Sequence, residues 1–339
     1  MSLNSVCMEA NKNWKSEIVQ FGVKTYDVDV IPLSSPRANY CLYGGIPIGR
    51  LIEFFGAEGS GKTATALDVC ANAQNMFTDK KIIFVDAENT YDPKWAAKLG
   101  VNSDELLIMK PETQTAEEIF QFILDAIDTG EVGLVVIDSL GVMLSEQAYD
   151  KDIGERTYGG ISMPLTTFSK KAELLCHKYG CTIIGINQMR DNLSSAFGGT
   201  ITTGGKAWKH NTSLRIEFKR GDFFDTNYTK VNQTYENPFG NYVQMSVIKS
   251  KCFPNDRKTG QYTLCYYNGI DYLTDTVDLA IKIGIIIQSG AWFNIMNPIT
   301  KELIVKCQGR PNVIKYLIEN EDTYKLIKNE IGKYITGGK

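Results

Sequence analysis

"RLIEFFGAEGSGKT" occupies residues 50–63, and its reading decides the fold. A short apolar run, Leu51 to Phe55, stops at a glycine-rich turn, and the turn opens on a helical pattern that starts near Lys62. Gly56, Ala57, Glu58, Gly59, Ser60, Gly61, Lys62 and Thr63 fit the spacing GxxxxGK[ST]. Between a strand and a helix, such a loop curls its backbone N–H groups around phosphates. The helix N-terminus adds partial positive charge, the lysine reaches the outer phosphates and the threonine hydroxyl suits Mg²⁺. A plain glycine-rich turn satisfies the same expression, so the flanking strand and helix carry the reading.

Working outward, apolar runs alternate with helical patterns. "KIIFVDAE" (81–88) precedes a helix at 92–99, "EVGLVVIDS" (131–139) follows one near 115–128, and "CTIIGINQ" (181–188) follows one near 163–179. That alternation predicts an α/β fold with a mostly parallel central sheet flanked by helices, whose strand carboxyl ends form the binding edge. Three of those ends carry a polar residue suited to one task. Glu88 is placed to orient or deprotonate a water at a γ-phosphate, or is an ordinary loop carboxylate. Asp138 is placed to hold Mg²⁺ through water, or starts a turn. Gln188 is placed to hydrogen-bond a γ-phosphate, or is a loop amide satisfied by backbone. Taken with the phosphate loop, the set is that of an ATP hydrolase using ATP and Mg²⁺.

A chain of 339 residues can bury a large core and leave a smaller unit beside it. The net charge of −3 confines any nucleic-acid contact to a local patch. The 8 cysteines include no CxxC pair and the 2 histidines stand apart, which argues against zinc and for reduced thiols in a cytoplasmic protein. No apolar run reaches membrane-spanning length, and no signal-peptide core opens the chain. The divisions expected are 1–32, a helix and the short strand "YDVDVI"; 33–271, the ATPase core; and 272–339, a small C-terminal α+β unit with short helices around "SGAWF". After residue 211, "SLRIEFKR", "YVQMSVIKSK" and "QYTLCYYN" are spaced like hairpin strands. In the second of these, Val243, Met245, Val247, Lys249 and Lys251 share one face by period two.

The motifs "GGIPIGRLIEFFGAEGSGKT", "FVDAENTYDPKWAAKLGV", "LVVIDSL", "INQMR", "TTGGKAWK", "VIKSK" and "SGAWF" follow one another from Gly44 to Phe293, within a resemblance that runs from about Gly44 to Gly309. In that order and near that spacing, the chain resembles the RecA recombinases of bacteria and their UvsX-like phage relatives. The resemblance implies a DNA-dependent ATPase that forms helical filaments on single-stranded DNA and pairs it with homologous double-stranded DNA, in recombination, DNA repair and the SOS response. It implies that Glu88 activates water and Gln188 senses the γ-phosphate. It places Asp92, Trp95 (where the family usually has tyrosine) and Tyr266 at the nucleotide.

The resemblance also matches 189–205 to a second DNA-binding loop, with Arg190, Phe197, Gly204 and Gly205 on family positions. A first DNA loop falls near 152–160, with Arg156, Tyr158 and, on the next helix, Lys170 as contacts. Polar loops of this length are uncommon in compact domains without a task, and this one is expected to order along DNA. In the family, Lys249 and Lys251 reach ATP bound by the neighbouring subunit, and the N-terminal segment packs on that neighbour. A hexameric helicase or translocase motor would use the same phosphate chemistry. A nucleotide-switched DNA-binding protein that hydrolyses poorly is the third reading, which Glu88 and Gln188 oppose.

Overall fold

The structure, a computed structural model, describes residues 2–14, 28–152, 160–191, 200–232 and 234–337. Among them the main sheet has 11 strands. Six run parallel, in the order Leu214–Phe224, Leu51–Gly56, Thr182–Asp191, Val132–Asp138, Lys81–Asp86, Leu106–Met109. Beyond Leu214–Phe224 the sheet continues antiparallel through Gly240–Ser250, Thr259–Cys265 and Gly269–Ile270.

The central strands are buried on both faces, which is why they read as unbroken apolar runs. On one face Ile52, Phe54, Ile216 and Phe218 pack with Ala66, Leu67 and Cys70 of the helix Lys62–Met76. On the other, Leu51, Val135 and Ile183 pack beneath the helices Ala116–Asp128 and Ser162–Tyr179. Thr115 and Glu118 close the first of these with a reciprocal cap, Glu118 accepting from the Thr115 N–H at 2.7 Å. Register levels the strand ends: Gly56 lies opposite Gln188, and Asp86 opposite Asp138.

Three expectations need correction. The C-terminal unit does hold helices, but "SGAWF" is not among them. Ser289 and Trp292–Phe293 belong to a hairpin within the antiparallel sheet Ile286–Ser289, Trp292–Met296, Leu303–Gln308. Of "YDVDVI", Val30–Ile31 is a strand, and it pairs with Ile46–Pro47 of the same chain; residues 26 and 27 lie outside the described residues. The lysine strand does not keep period two. Val247 pairs with Ile216 but Lys249 pairs with Arg215, so a bulge at Ile248 moves Lys249 to the opposite face from Val243, Met245 and Val247.

Asp68, on the helix Lys62–Met76, ties that helix to the linker before the core. It accepts from the Ser34 N–H at 3.0 Å and the Ser34 hydroxyl at 2.5 Å. Burial pushes its carboxyl from 3.8 up to about 6, against the pull of those Ser34 bonds and of Asn72. A raised carboxyl stabilises the fold below its unfolded value and loses that contribution as pH climbs through its folded value. Here that window runs from about 4 to 6, and the effect is at most about 3 kcal/mol. The stability of Asp68→Asn relative to wild type should therefore rise between pH 4 and pH 7. Denaturant midpoints of the ligand-free proteins measure this, and a constant difference across that range would refute it.

Candidate active site

The loop from Gly56 to Gly61 leaves the strand Leu51–Gly56 and enters the helix Lys62–Met76. Gly61 has φ +97°, and a Cβ there would lie 2.8 Å from Val243 Cγ2, so both backbone sign and packing require glycine. Lys62 curls back over this loop. Its ammonium donates to Gly56 O at 3.1 Å and Ala57 O at 2.7 Å. Burial draws Lys62 down from its usual value, while Asp138, Glu88 and Glu58 push it up.

The four strand ends converge. Thr63 Oγ1 donates to Asp138 Oδ2 at 2.7 Å. Burial pushes the Asp138 carboxyl up to about 6; Thr63 and Lys62 pull it down, and Glu88 and Asp86 raise it further. The Ala87 and Glu88 N–H groups both donate to Asp138 O, at 2.8 and 3.2 Å, which fixes the Glu88 turn to the neighbouring strand. Gln188 Nε2 donates to Glu88 Oε1 at 3.1 Å, and Ser139 Oγ donates to the same oxygen at 2.5 Å. Among the described residues neither bond reaches Glu88 Oε2. The Thr63 hydroxyl and Asp138 carboxylate form an all-oxygen donor pair, the type that suits Mg²⁺.

The other positions expected at the nucleotide lie on the same edge. Asp92 is exposed and caps the helix Pro93–Lys98, accepting from the Lys94 N–H at 2.9 Å. Trp95 is half-buried against the core. Tyr266 follows the strand Thr259–Cys265 and donates to Asn241 Oδ1 at 2.8 Å. Its turn approaches the Trp95 helix, because a Cβ on Gly269 would meet Lys98 O at 2.3 Å.

Lys249 and Lys251 do not join this group. They sit at the far end of the sheet: Lys249 pairs with Arg215, the Lys251 N–H donates to Ser213 O, and Gly56 pairs with Phe218. At about 3.3 Å per residue along the strand, this places them roughly 10 and 16 Å from the cradle's edge, on the opposite side. Lys249 Nζ donates to Lys209 O at 2.8 Å and His210 O at 2.7 Å, the last carbonyls of the helix Gly205–Asn211.

Of the DNA positions, Arg156, Tyr158 and Phe197 lie outside the described residues, as does the side chain of Arg190. The backbone of Arg190 pairs with Ile201 in a hairpin stem, Met189–Asp191 against Thr200–Thr202, so the ends of the expected loop are strand. Gly204 and Gly205 carry positive φ and open the helix Gly205–Asn211, and a Cβ on Gly204 would come 2.5 Å from Leu165 Cδ2. Lys170 is exposed on the helix Ser162–Tyr179.

Sequence reasoning missed Ser139, Arg220 and Asn187. Ser139 holds Glu88, and Arg220 Nη1 lies 3.3 Å from where a Gly59 Cβ would be. Asn187 Nδ2 donates both to Thr203 O at 2.8 Å and to buried Glu53 Oε1 at 2.9 Å, while Glu53 Oε2 pairs with Arg215. One signal was present: Glu53 interrupts an apolar strand, and a fully buried carboxylate needs a cation.

Comparison with known proteins agrees with this geometry. The family model described as RecA N-terminal domain matches residues 2–271, and RecA C-terminal domain matches 274–336. Protein RecA of Rickettsia massiliae is 32% identical over 325 residues, covering 95% of this chain and 88% of that protein. Protein RecA of Chlorobaculum tepidum is 33% identical over 314 residues, covering 91% of this chain and 85% of its own. A cradle of this build, a sheet of this order and matches of this extent lead to one conclusion: the chain belongs to the RecA family.

Proposed function

We propose that this chain hydrolyses ATP where two copies meet, one copy holding the triphosphate in its Gly56–Thr63 cradle and the next supplying Lys249 and Lys251. Membership of the family makes the chain a recombinase of DNA repair and a DNA-dependent ATP hydrolase. The observation that carries the two-copy reading is the placement of the lysines. They lie at the edge of the sheet opposite their own cradle.

Within the site, Glu88 Oε2 accepts a proton from the attacking water as the γ-phosphorus–oxygen bond breaks, releasing ADP and phosphate. Ser139 holds Glu88 in place, and the Gln188 amide turns from Glu88 to a γ-phosphate oxygen. Lys62 and the loop amides carry the outer phosphates. Thr63 and Asp138 would hold Mg²⁺, which would neutralise phosphate charge. Asp92, Trp95 and Tyr266 bound the nucleotide base. The neighbour's lysines meet the charge that develops in the transition state.

In this reading the chain builds a helical filament on single-stranded DNA and pairs it with a homologous duplex in the cytoplasm. Among the described residues no helix is long and apolar enough to cross a membrane. Residues 33–271 form the working core, 1–32 pack on the neighbour, and 272–339 form a separate small unit. Within the chain, Val30 and Ile31 pair with Pro47 and Ile46 along one edge. Arg156, Tyr158, Lys170, Arg190, Phe197, Gly204 and Gly205 contact DNA.

Gln188 immediately precedes the stem of Met189–Asp191 against Thr200–Thr202, so its amide links the γ-phosphate to the DNA loop. Wild type should bind labelled oligo-dT more tightly with a non-hydrolysable ATP analogue than with ADP, by roughly 5–150-fold. Gln188→Ala should retain weak DNA binding and lose that dependence. Fluorescence anisotropy reads both, and equal wild-type affinities in the two nucleotide states would overturn the switch.

A further inference from the structure

The far edge of the sheet holds a third cation beside the lysine pair. Arg50 opens the strand Leu51–Gly56. Its carbonyl accepts from the Ile183 N–H at 3.0 Å, Leu51 O accepts from Ser213 N–H at 2.7 Å, and Ser213 O accepts from Lys251 N–H at 2.8 Å. Arg50 and Lys251 therefore sit at one sheet edge, two strands apart. The Arg50 side chain is half-buried at that edge.

Its described partners are all uncharged. Nη1 donates to His177 Nε2 at 2.5 Å and to Gly49 O at 3.2 Å. No carboxylate pairs with Arg50 among the described residues. Burial and the Arg50 charge both draw His177 down, with Glu173 opposing, so the ring stays a neutral acceptor that orients the guanidinium. Glu53, the nearest buried carboxylate, is already bonded to Arg215 and Asn187. Glu173, four residues before His177 on the helix Ser162–Tyr179, opposes that lowering of His177. A half-buried guanidinium with neutral partners is poorly compensated, and an anion arriving from outside relieves it. Its planar fork suits two phosphate oxygens, which an ammonium cannot grip in the same way.

We propose that Arg50 is a third cation of the in-trans face, gripping the terminal phosphate of the triphosphate held by the neighbouring copy, with His177 as its positioning residue. This rests on the two-copy reading of Lys249 and Lys251. DNA-dependent ATP turnover is measured at saturating ATP and saturating oligo-dT for Arg50→Gln, Arg50→Lys and the reference pair Lys249→Ala/Lys251→Ala. Arg50→Gln should lose at least tenfold in kcat, with ADP affinity unchanged because its own cradle is intact. Arg50→Lys should fall between, keeping charge without the fork. Mixing Arg50→Gln with Lys62→Ala should restore turnover, since the second variant supplies an intact Arg50 to the first variant's cradle. A misfolded or merely unstable Arg50→Gln would not be rescued that way, and failure of rescue with mixed assembly verified overturns the proposal. If the lysine pair turns over at the wild-type rate, the two-copy reading falls and Arg50 with it. If the lysine pair is slow and Arg50→Gln is not, Arg50 alone is wrong. Weaker oligo-dT binding with normal turnover at saturation makes Arg50 a DNA contact and also overturns the proposal.

Discussion

Glu88→Gln should bind ATP as tightly as wild type and hydrolyse it about 10²–10⁴-fold more slowly, the range typical for removing a general base. The substitution is close to isosteric here for a specific reason. Ser139 and Gln188 both donate to Oε1, so the amide oxygen of a glutamine can accept both bonds. The amide nitrogen then replaces Oε2, the atom that takes the proton. Lys62→Ala is the contrast, since it removes the ammonium curled over the cradle and should weaken binding itself. Equilibrium nucleotide titration and single-turnover hydrolysis separate the two effects. Wild-type hydrolysis by Glu88→Gln would show that another group activates the water.

The second large effect is complementation. Lys249→Ala/Lys251→Ala keeps its cradle and Lys62→Ala keeps its lysines, and each alone should be nearly inactive. In a random equal mixture, about a quarter of head-to-tail contacts join an intact cradle to an intact lysine pair. Turnover should therefore recover to roughly that fraction of wild type. Recovery also requires Lys249 to leave Lys209 O and His210 O, which it caps within its own chain. No recovery at any ratio, with mixed assembly verified, would place the lysines' role within one subunit.

The central sheet and its carboxyl edge were legible because their signals are local. A strand buried on both faces is an apolar run, and a phosphate cradle needs glycine at fixed places such as Gly61. The partnership of Glu88 with Gln188 was readable only as two strand ends, because their meeting depends on sheet order and register. Lys249 was misplaced for a sharper reason. Period two holds only while the ladder is regular, and the extra residue Ile248 reverses every side chain after it. Ser139 and Asn187 gave no usable signal, since a serine after an aspartate and an asparagine before a glutamine are ordinary neighbours. The "SGAWF" hairpin was missed because a short apolar run with glycine fits either a strand turn or a helix end.

The separation of cradle and lysines across the sheet has a consequence for counting. On the two-copy reading, contact joins unlike faces, and a row of such contacts need not close on itself. A row of n copies then contains n − 1 finished sites. The copy at one end carries a triphosphate that nothing completes, and the copy at the other carries cations with nothing to act on. Each interior joint has its own timer, while one terminus has none. The assembly thus acquires a direction from chemistry alone, with one end that keeps its fuel and one whose last joint can be spent.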